Sequence, residues 1–528
     1  MGRHSGTRTR LLCGALLIAA TTVAPLAPAA AAGTGTWGHT DFDGDGDDEL
    51  VIAVPSESLG TIQDAGAVTV LNGSRRGTTT AGAAIWTQGT PGLAGQAATG
   101  DRFGESWTSG DFDEDGYDDL AVGIPGDNLR AATDAGRVQV LFGSDEGLTT
   151  VDQQLLVEWR SDEPEAGDHF GTAVAAADFD DDGDDDLAVG APGEEVGGDA
   201  GAGAVFVFRG GATGFATAPS RWTQDRAGIT GAAEPGDGFG AALAAGRAGQ
   251  NSRDDLVIGV PREDIGSASD AGTVQTLYGS GSTFSTATDQ LFTLDDFEAG
   301  LGGFVADEEL SNDDGDRFGT SVALAEQGGT GLPILVAGAP FDNDPGTFFE
   351  PAVDVGAIGV LLGDDGAGLV PLGGLSLGGL GDPADVVAGQ QFGRAVTGLR
   401  PGSWAVSWPG DDSGPDTDAG VVSVLDWTVT DEGEEGGEVR EVQSDAGEDN
   451  EDGDEFGAGV WSADVNGDGD AELAVGWRES FEDEDVTQCG MVAVGWIGDE
   501  GYQTFSQSTP GVPETNQGFD RFGTQAVP

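Results

Sequence analysis

A sevenfold internal repeat constrains this chain more than any other feature. A Phe-Gly pair recurs at Phe103-Gly104, Phe170-Gly171, Phe239-Gly240, Phe318-Gly319, Phe392-Gly393, Phe456-Gly457 and Phe522-Gly523. A small-residue-x-Pro step, most often Gly/Ala-x-Pro, ends at Pro55, Pro125, Pro192, Pro261, Pro340 and Pro409, with Arg478 in the seventh place. Successive steps lie 67 to 79 residues apart. A third mark, Asp-Ala-Gly or close to it, ends at Gly66, Gly136, Gly201, Gly272, Gly356, Gly420 and Gly490. Three marks that keep one period and one order indicate a repeat architecture.

Each unit reads as short strands. In the third, Phe170 to Ala177 is small and apolar, and Asp178 to Asp186 is an acidic turn. Leu187 to Ala191 is a strand stopped by Pro192, and Ala204 to Phe208 is another. Trp222 opens a further strand-like segment. Four strands per unit, repeated seven times, predict an all-β, seven-bladed β-propeller, each blade packing on its neighbours. An open β-solenoid or two β-sandwiches would be the competing arrangements. With 93 Gly and 22 Pro in 528 residues, and 38% hydrophobic residues, the chain has turn formers in plenty and enough apolar sequence for a core. The first unit has an acidic turn but no Phe-Gly before it, whereas the chain finishes on an orphan Phe522-Gly523. The C-terminal segment is therefore expected to close the ring.

Residues 1–32 read as a secretory signal: Arg3, Arg8 and Arg10, then the apolar Leu11 to Ala20, then small residues with cleavage near Ala30 or Ala32. Residues 33–528 then form one propeller domain, expected to be secreted and extracellular, with no membrane span. One cysteine, Cys489, remains after the signal and cannot close a disulfide within the chain. The basic residues number 21, all Arg, against 94 Asp and Glu, a net charge of −73. That charge argues against nucleic acid and anionic membranes as partners. Its natural counter-charge is a divalent cation.

Four units carry a nine-residue acidic turn. Asp41, Asp43, Asp45, Asp47 and Glu49 occupy alternate positions of the first. Asp111, Asp113, Asp115, Tyr117 and Asp119 do so in the second, and Asp178, Asp180, Asp182, Asp184 and Asp186 in the third. Asp464, Asn466, Asp468, Asp470 and Glu472 do so in the last. Side-chain oxygens at positions one, three and five, the carbonyl at seven and the carboxylate at nine can converge on one ion, and Gly at six permits the sharp turn. Such a flexible all-oxygen shell suits calcium, giving about four Ca2+ sites, and the absence of His and Cys disfavours zinc or copper. These are not EF-hands, because position twelve is Ile52, Val122, Val189 or Val475 rather than Glu. Unit four replaces the first three ligands with Arg247, Gly249 and Asn251, and unit five has Glu326, Gly328 and Thr330 there.

Phe170-Gly171 with Gly190-Ala191-Pro192, and Phe318-Gly319 with Gly338-Ala339-Pro340, resemble the FG-GAP repeat family, most closely the seven-bladed propeller at the N-terminus of integrin α subunits. The resemblance covers essentially all of the chain after the signal. It implies calcium turns on one face in only some blades, and a role in adhesion or ligand recognition. No second domain is expected here, and the Arg-only basicity suggests a secreted bacterial protein. The expected partner is a protein or glycan bound through the loops of one face.

No catalytic residue and no organic cofactor stand out. His169 lies in Gly-Asp-His-Phe-Gly and His39 just before the first acidic turn, both read as loop residues. Gly410-Asp-Asp-Ser413-Gly-Pro departs from a serine-protease motif by an extra Asp. Trp86, Trp159 and Trp222, at related places, read as packing rather than a sugar platform. A non-catalytic binding protein is the preferred reading; the alternative is an extracellular hydrolase or lyase on polysaccharide or lipid.

Overall fold

The computed structural model describes residues 39–158, 164–215, 218–249, 251, 253–281, 283–297, 310–326, 333–342, 355–364, 368–376, 389–400, 402–410, 420–429, 435–442, 455–468, 471–479, 489–495, 502–507, 509–513 and 522. Seven antiparallel blade sheets follow one another along the chain, three-stranded in the first and four-stranded in the other six among the described residues, each pairing its strands in sequence order, and a two-stranded ribbon, Gly279–Ser280 with Thr283–Phe284, accompanies the fourth. The second is typical: Trp107–Gly110, Asp119–Ile124, Arg137–Phe142 and Thr149–Leu156. The only helical element among the described residues is a 3-10 turn, Leu294–Asp296. The molecule is thus a seven-bladed β-propeller with four-stranded blades, as the repeat predicts.

Two of the repeat marks are halves of one contact. In four units the glycine of the third mark forms a parallel bridge with the Phe that opens the next blade: Gly66 with Phe103, Gly136 with Phe170, Gly272 with Phe318, Gly356 with Phe392. The approach leaves no room for a side chain. A Cβ on Gly66 would lie 2.2 Å from both the N and O of Phe103. In the third unit the bridging residue is Gly203, paired with Phe239, two residues past the glycine that ends the Asp-Ala-Gly mark. Its mark is displaced by two residues because the backbone contact, not the Asp-Ala-Gly spelling, fixes the position.

The phenylalanines anchor these contacts by burial. Phe103, Phe170, Phe239, Phe318 and Phe392 are fully buried. The apolar core is divided into clusters that lie between blades. One joins Phe112, Val138 and Phe142 of blade two to Phe170, Val189 and Phe206 of blade three. Another joins Phe179 and Trp222 of blade three to Phe239, Ile258 and Phe284 of blade four. No blade owns its core, so each is stabilised by its neighbours.

The ring closes from the last blade to the first. One cluster holds Phe42, Leu50 and Val68 of blade one together with Trp461, Val492 and Phe505 of blade seven, and includes Phe522. Phe522 is buried, and its backbone lies against Gly490 as Phe103 lies against Gly66. Hydrogen bonds reinforce the seam: Gln507 Nε2 donates to Glu57 Oε2 at 2.6 Å, and Gln503 Nε2 to the Thr78 carbonyl at 3.1 Å.

Candidate metal centre

Each acidic turn runs directly into a strand: Leu50–Val54, Asp119–Ile124, Asp186–Ala191 and Glu472–Glu479. The position-one carboxylate folds the turn around itself. In the first, Asp41 Oδ1 accepts the Asp45 N–H at 2.9 Å and Oδ2 the Gly46 N–H at 3.0 Å. Asp111 does the same for Asp115 and Gly116, and Asp178 for Asp182 and Gly183. Asp464 Oδ1 accepts the Asp468 N–H at 3.0 Å. Gly46, Gly116 and Gly183, at position six, have φ of +89°, +89° and +102°, where a side chain would be strained. This winding brings positions one, three and five together. Ligand atoms of Asp41, Asp43 and Asp45 lie within 4.8 Å of one another, as do those of Asp111, Asp113 and Asp115, and of Asp178, Asp180 and Asp182.

These groups fit a divalent cation. Asp113 Oδ1, Asp180 Oδ1 and Asp186 Oδ2 are buried acceptors with no hydrogen-bond partner. A buried carboxylate oxygen without a donor is costly, and a cation would satisfy it. Burial and then the neighbouring carboxylates push Glu49 to about 8. Burial likewise takes Asp119, Asp186 and Glu472 to about 8. The donor set is entirely oxygen, which suits a hard ion.

Position nine also has a structural task. Glu49 Oε2 accepts the Phe42 N–H at 2.9 Å. Asp119 spans two segments, accepting from Phe112 at 2.8 Å and Gly143 at 2.8 Å. Asp255 of unit four keeps this pattern with Ala248 and Gly279, although its turn has lost the first three ligands. Position seven directs its side chain at the preceding turn. A Cβ on Gly44 would lie 2.8 Å from the Tyr117 ring, and one on Gly467 2.5 Å from Asp47 Oδ1. This leaves the backbone carbonyl as the donor expected from position seven. Asn466 Nδ2 donates to Glu472 Oε1 in the last turn, and Asp470 lies outside the described residues.

The third turn has a cation of its own. Arg209 Nη1 lies 2.7 Å from Asp180 Oδ2, and Arg253 Nη2 lies 3.8 Å from Asp181. In unit four Arg247 is exposed; burial raises Asp254 to about 6 and Asp255 to about 7, and the Arg247 charge only partly opposes that rise. Gly328 and Thr330 of unit five lie outside the described residues.

Position eight is the functional place that sequence reasoning missed. Asp118 Oδ2 accepts the Asp41 N–H at 2.9 Å, and Asp48 Oδ2 the Asp464 N–H at 3.0 Å. Asp185 Oδ2 accepts the Asp111 N–H at 3.2 Å. Each of these carboxylates crosses from one turn to the turn of the preceding blade. The available signal was the recurrence of Asp at position eight, including Asp254 in a unit without the ligands.

The residues weighed for catalysis are placed as follows. His169 is exposed with φ +54°, in the left-handed position that Arg102, Arg317 and Gln391 take in other units. His39 faces Asp48, with Nδ1 3.8 Å from Oδ1, and this partner raises its pKa. Trp222 is buried edge-on against Phe284, centroids 5.2 Å apart. Trp86 is buried in the blade-one core, while Trp159 and Ser413 lie outside the described residues.

Comparison with known proteins gives the same repeat. FG-GAP repeats match at residues 38–71, 103–141 and 170–208, which span the first three acidic turns. Phosphatidylinositol-glycan-specific phospholipase D of Bos taurus is 35% identical over 189 residues, covering 35% of this chain and 21% of that protein. Integrin alpha-PS2 of Drosophila melanogaster is 34% identical over 171 residues, 31% of this chain and 12% of the integrin. Integrin alpha-5 of Xenopus laevis is 30% identical over 225 residues, 42% of this chain and 19% of the integrin. The chain therefore spans about a fifth or less of the length of these relatives. Among the described residues no helix is long and apolar enough to cross a membrane. The protein is a seven-bladed β-propeller with three segments that match the FG-GAP repeat, similar in part to integrin α chains and to phosphatidylinositol-glycan-specific phospholipase D.

Proposed function

We propose that this chain is a secreted calcium-binding propeller that recognises a protein or glycan ligand through its loops and acts in ligand binding or adhesion. The observation that carries the metal part is the convergence of positions one, three and five in three turns, with buried oxygens that lack donors. Calcium there is structural: it neutralises the turn and fixes the hairpin between two strands. The similarity to integrin α chains supports the recognition part. The export signal read at residues 1–32 supports secretion.

Calorimetric titration with calcium tests the metal part. The reading expects close to four sites and a large fall in melting temperature in chelator. Folding of full stability in chelator, with no binding heat, would refute it. A glycan and matrix-protein array run beside a panel of polysaccharide and lipid substrates tests the rest. Saturable binding without turnover supports recognition. Turnover removed by substitution of an acidic residue would replace it with the hydrolase or lyase alternative.

A further inference from the structure

We propose that the position-eight aspartates Asp48, Asp118 and Asp185 are positioning residues that couple neighbouring turns, so that calcium fills the turns cooperatively. This rests on the calcium reading above and goes beyond it, because independent sites would satisfy that reading equally well.

The coupling is built from a paired contact. Asp118 accepts the N–H of Asp41 and donates its own N–H to the Asp41 carbonyl at 3.3 Å. Asp185 treats Asp111 in the same way, its N–H donating at 3.2 Å, and Asp48 treats Asp464, at 3.1 Å. The residue gripped through both its N–H and its carbonyl is in each case position one. That is the first ligand of its turn, and its carboxylate holds the N–H groups of positions five and six or, in the last turn, of position five. An ion that orders position one therefore orders the peptide on which the next turn docks. In that next turn the docking residue stands immediately before the closing carboxylate at position nine. Position seven adds to the contact, with Tyr117 against Gly44 and Asp47 against Gly467.

Ring closure makes the array continuous. Because blade seven adjoins blade one, the turns opened by Asp464, Asp41, Asp111 and Asp178 are consecutive. The arc ends at blade four, where Asp254 still donates its N–H to the Asp178 carbonyl at 3.4 Å but Arg247, Gly249 and Asn251 stand in place of ligands. A site already ordered by its neighbour costs less to fill, which is positive coupling. Each turn carries several carboxylates for one divalent ion, so repulsion between neighbouring ions is largely neutralised.

The test is a calcium titration of the full chain against a competing chelator, for the native protein, Asp118→Ala, Asp118→Asn and Asp254→Ala. The native isotherm is expected to be steeper than that of independent sites. Asp118→Ala should keep the number of sites but lose steepness, since it cuts the arc in the middle. Asp118→Asn retains an acceptor oxygen and should stay close to native. Asp254→Ala removes the Asp254 carboxylate that hydrogen-bonds the Asp178 backbone, beyond the last ligand set, and should leave the steepness unchanged, whereas a merely structural role would make it resemble Asp118→Ala. Should Asp118→Ala not fold, Asp185→Ala cuts the arc one blade further on and is read in the same way. A native isotherm that fits independent sites, or equal steepness in Asp118→Ala and native protein, would overturn the coupling. Absence of calcium binding altogether would instead overturn the calcium reading.

Discussion

Single residues set how alike the turns can be. Arg209 and Asp180 form an ion pair at 2.7 Å in the third turn, so an ion there must displace a guanidinium. Arg209→Gln is expected to raise the affinity of one site severalfold and leave the others unchanged, as read by calorimetry; no change in any site would show that Arg209 does not compete. Gly66 carries the blade contact because its φ is +85° and its Cα faces the Phe103 backbone. Gly66→Ala is expected to lower stability by about 2 kcal/mol or more in denaturant unfolding, from backbone strain and displacement of that strand. The clustering of positions one, three and five was legible because side chains at alternate places of such a turn point to one side. Asp118 was not, since nothing local distinguishes an acid that points at its own turn from one that crosses to another blade.

At the scale of the element, turn chemistry was legible and its offsets were less so. The acidic turns stand where their sequences placed them, but the contact between a glycine and the next Phe was not foreseen, and in unit three it is made by Gly203, two residues past the Asp-Ala-Gly mark. Another element device was not foreseen. The aspartate two places before Phe103, Phe170, Phe239 and Phe318 closes a small turn: Asp101 accepts the Ala98 N–H at 2.6 Å, Asp237 the Glu234 N–H at 2.6 Å, and Asp168 and Asp316 do the same. Burial, opposed by that hydrogen bond, pushes Asp237 to about 7. A carboxyl raised in the fold stabilises it fully below the unfolded value, about 4. That contribution is lost as pH rises through about 7. Asp237→Asn keeps an acceptor and cannot ionise. Its melting temperature, relative to the native protein, should rise between about pH 4 and pH 7; parallel curves across that range would contradict the assignment.

For the whole molecule, seven blades and their order were legible because three marks recur at one period. The division of the core between blades was not, since it depends on which faces meet. Phe522 shows both sides of this. Its lack of a following unit pointed to closure, and it now lies in the cluster shared by blades seven and one. Phe522→Ala is expected to destabilise the ring by about 3–5 kcal/mol, and removal of residues 518–528 to lower the melting temperature more sharply still. An unchanged melting curve for the truncated chain would show that the seam does not depend on this segment.

The central claim is that consecutive acidic turns of this propeller hold calcium. It is tested most directly by an anomalous difference map from crystals grown in calcium. The account predicts peaks in the turns opened by Asp464, Asp41, Asp111 and Asp178, each with oxygens at about 2.3–2.6 Å. Turns without density at saturating calcium, or peaks confined to other acidic clusters, would contradict it.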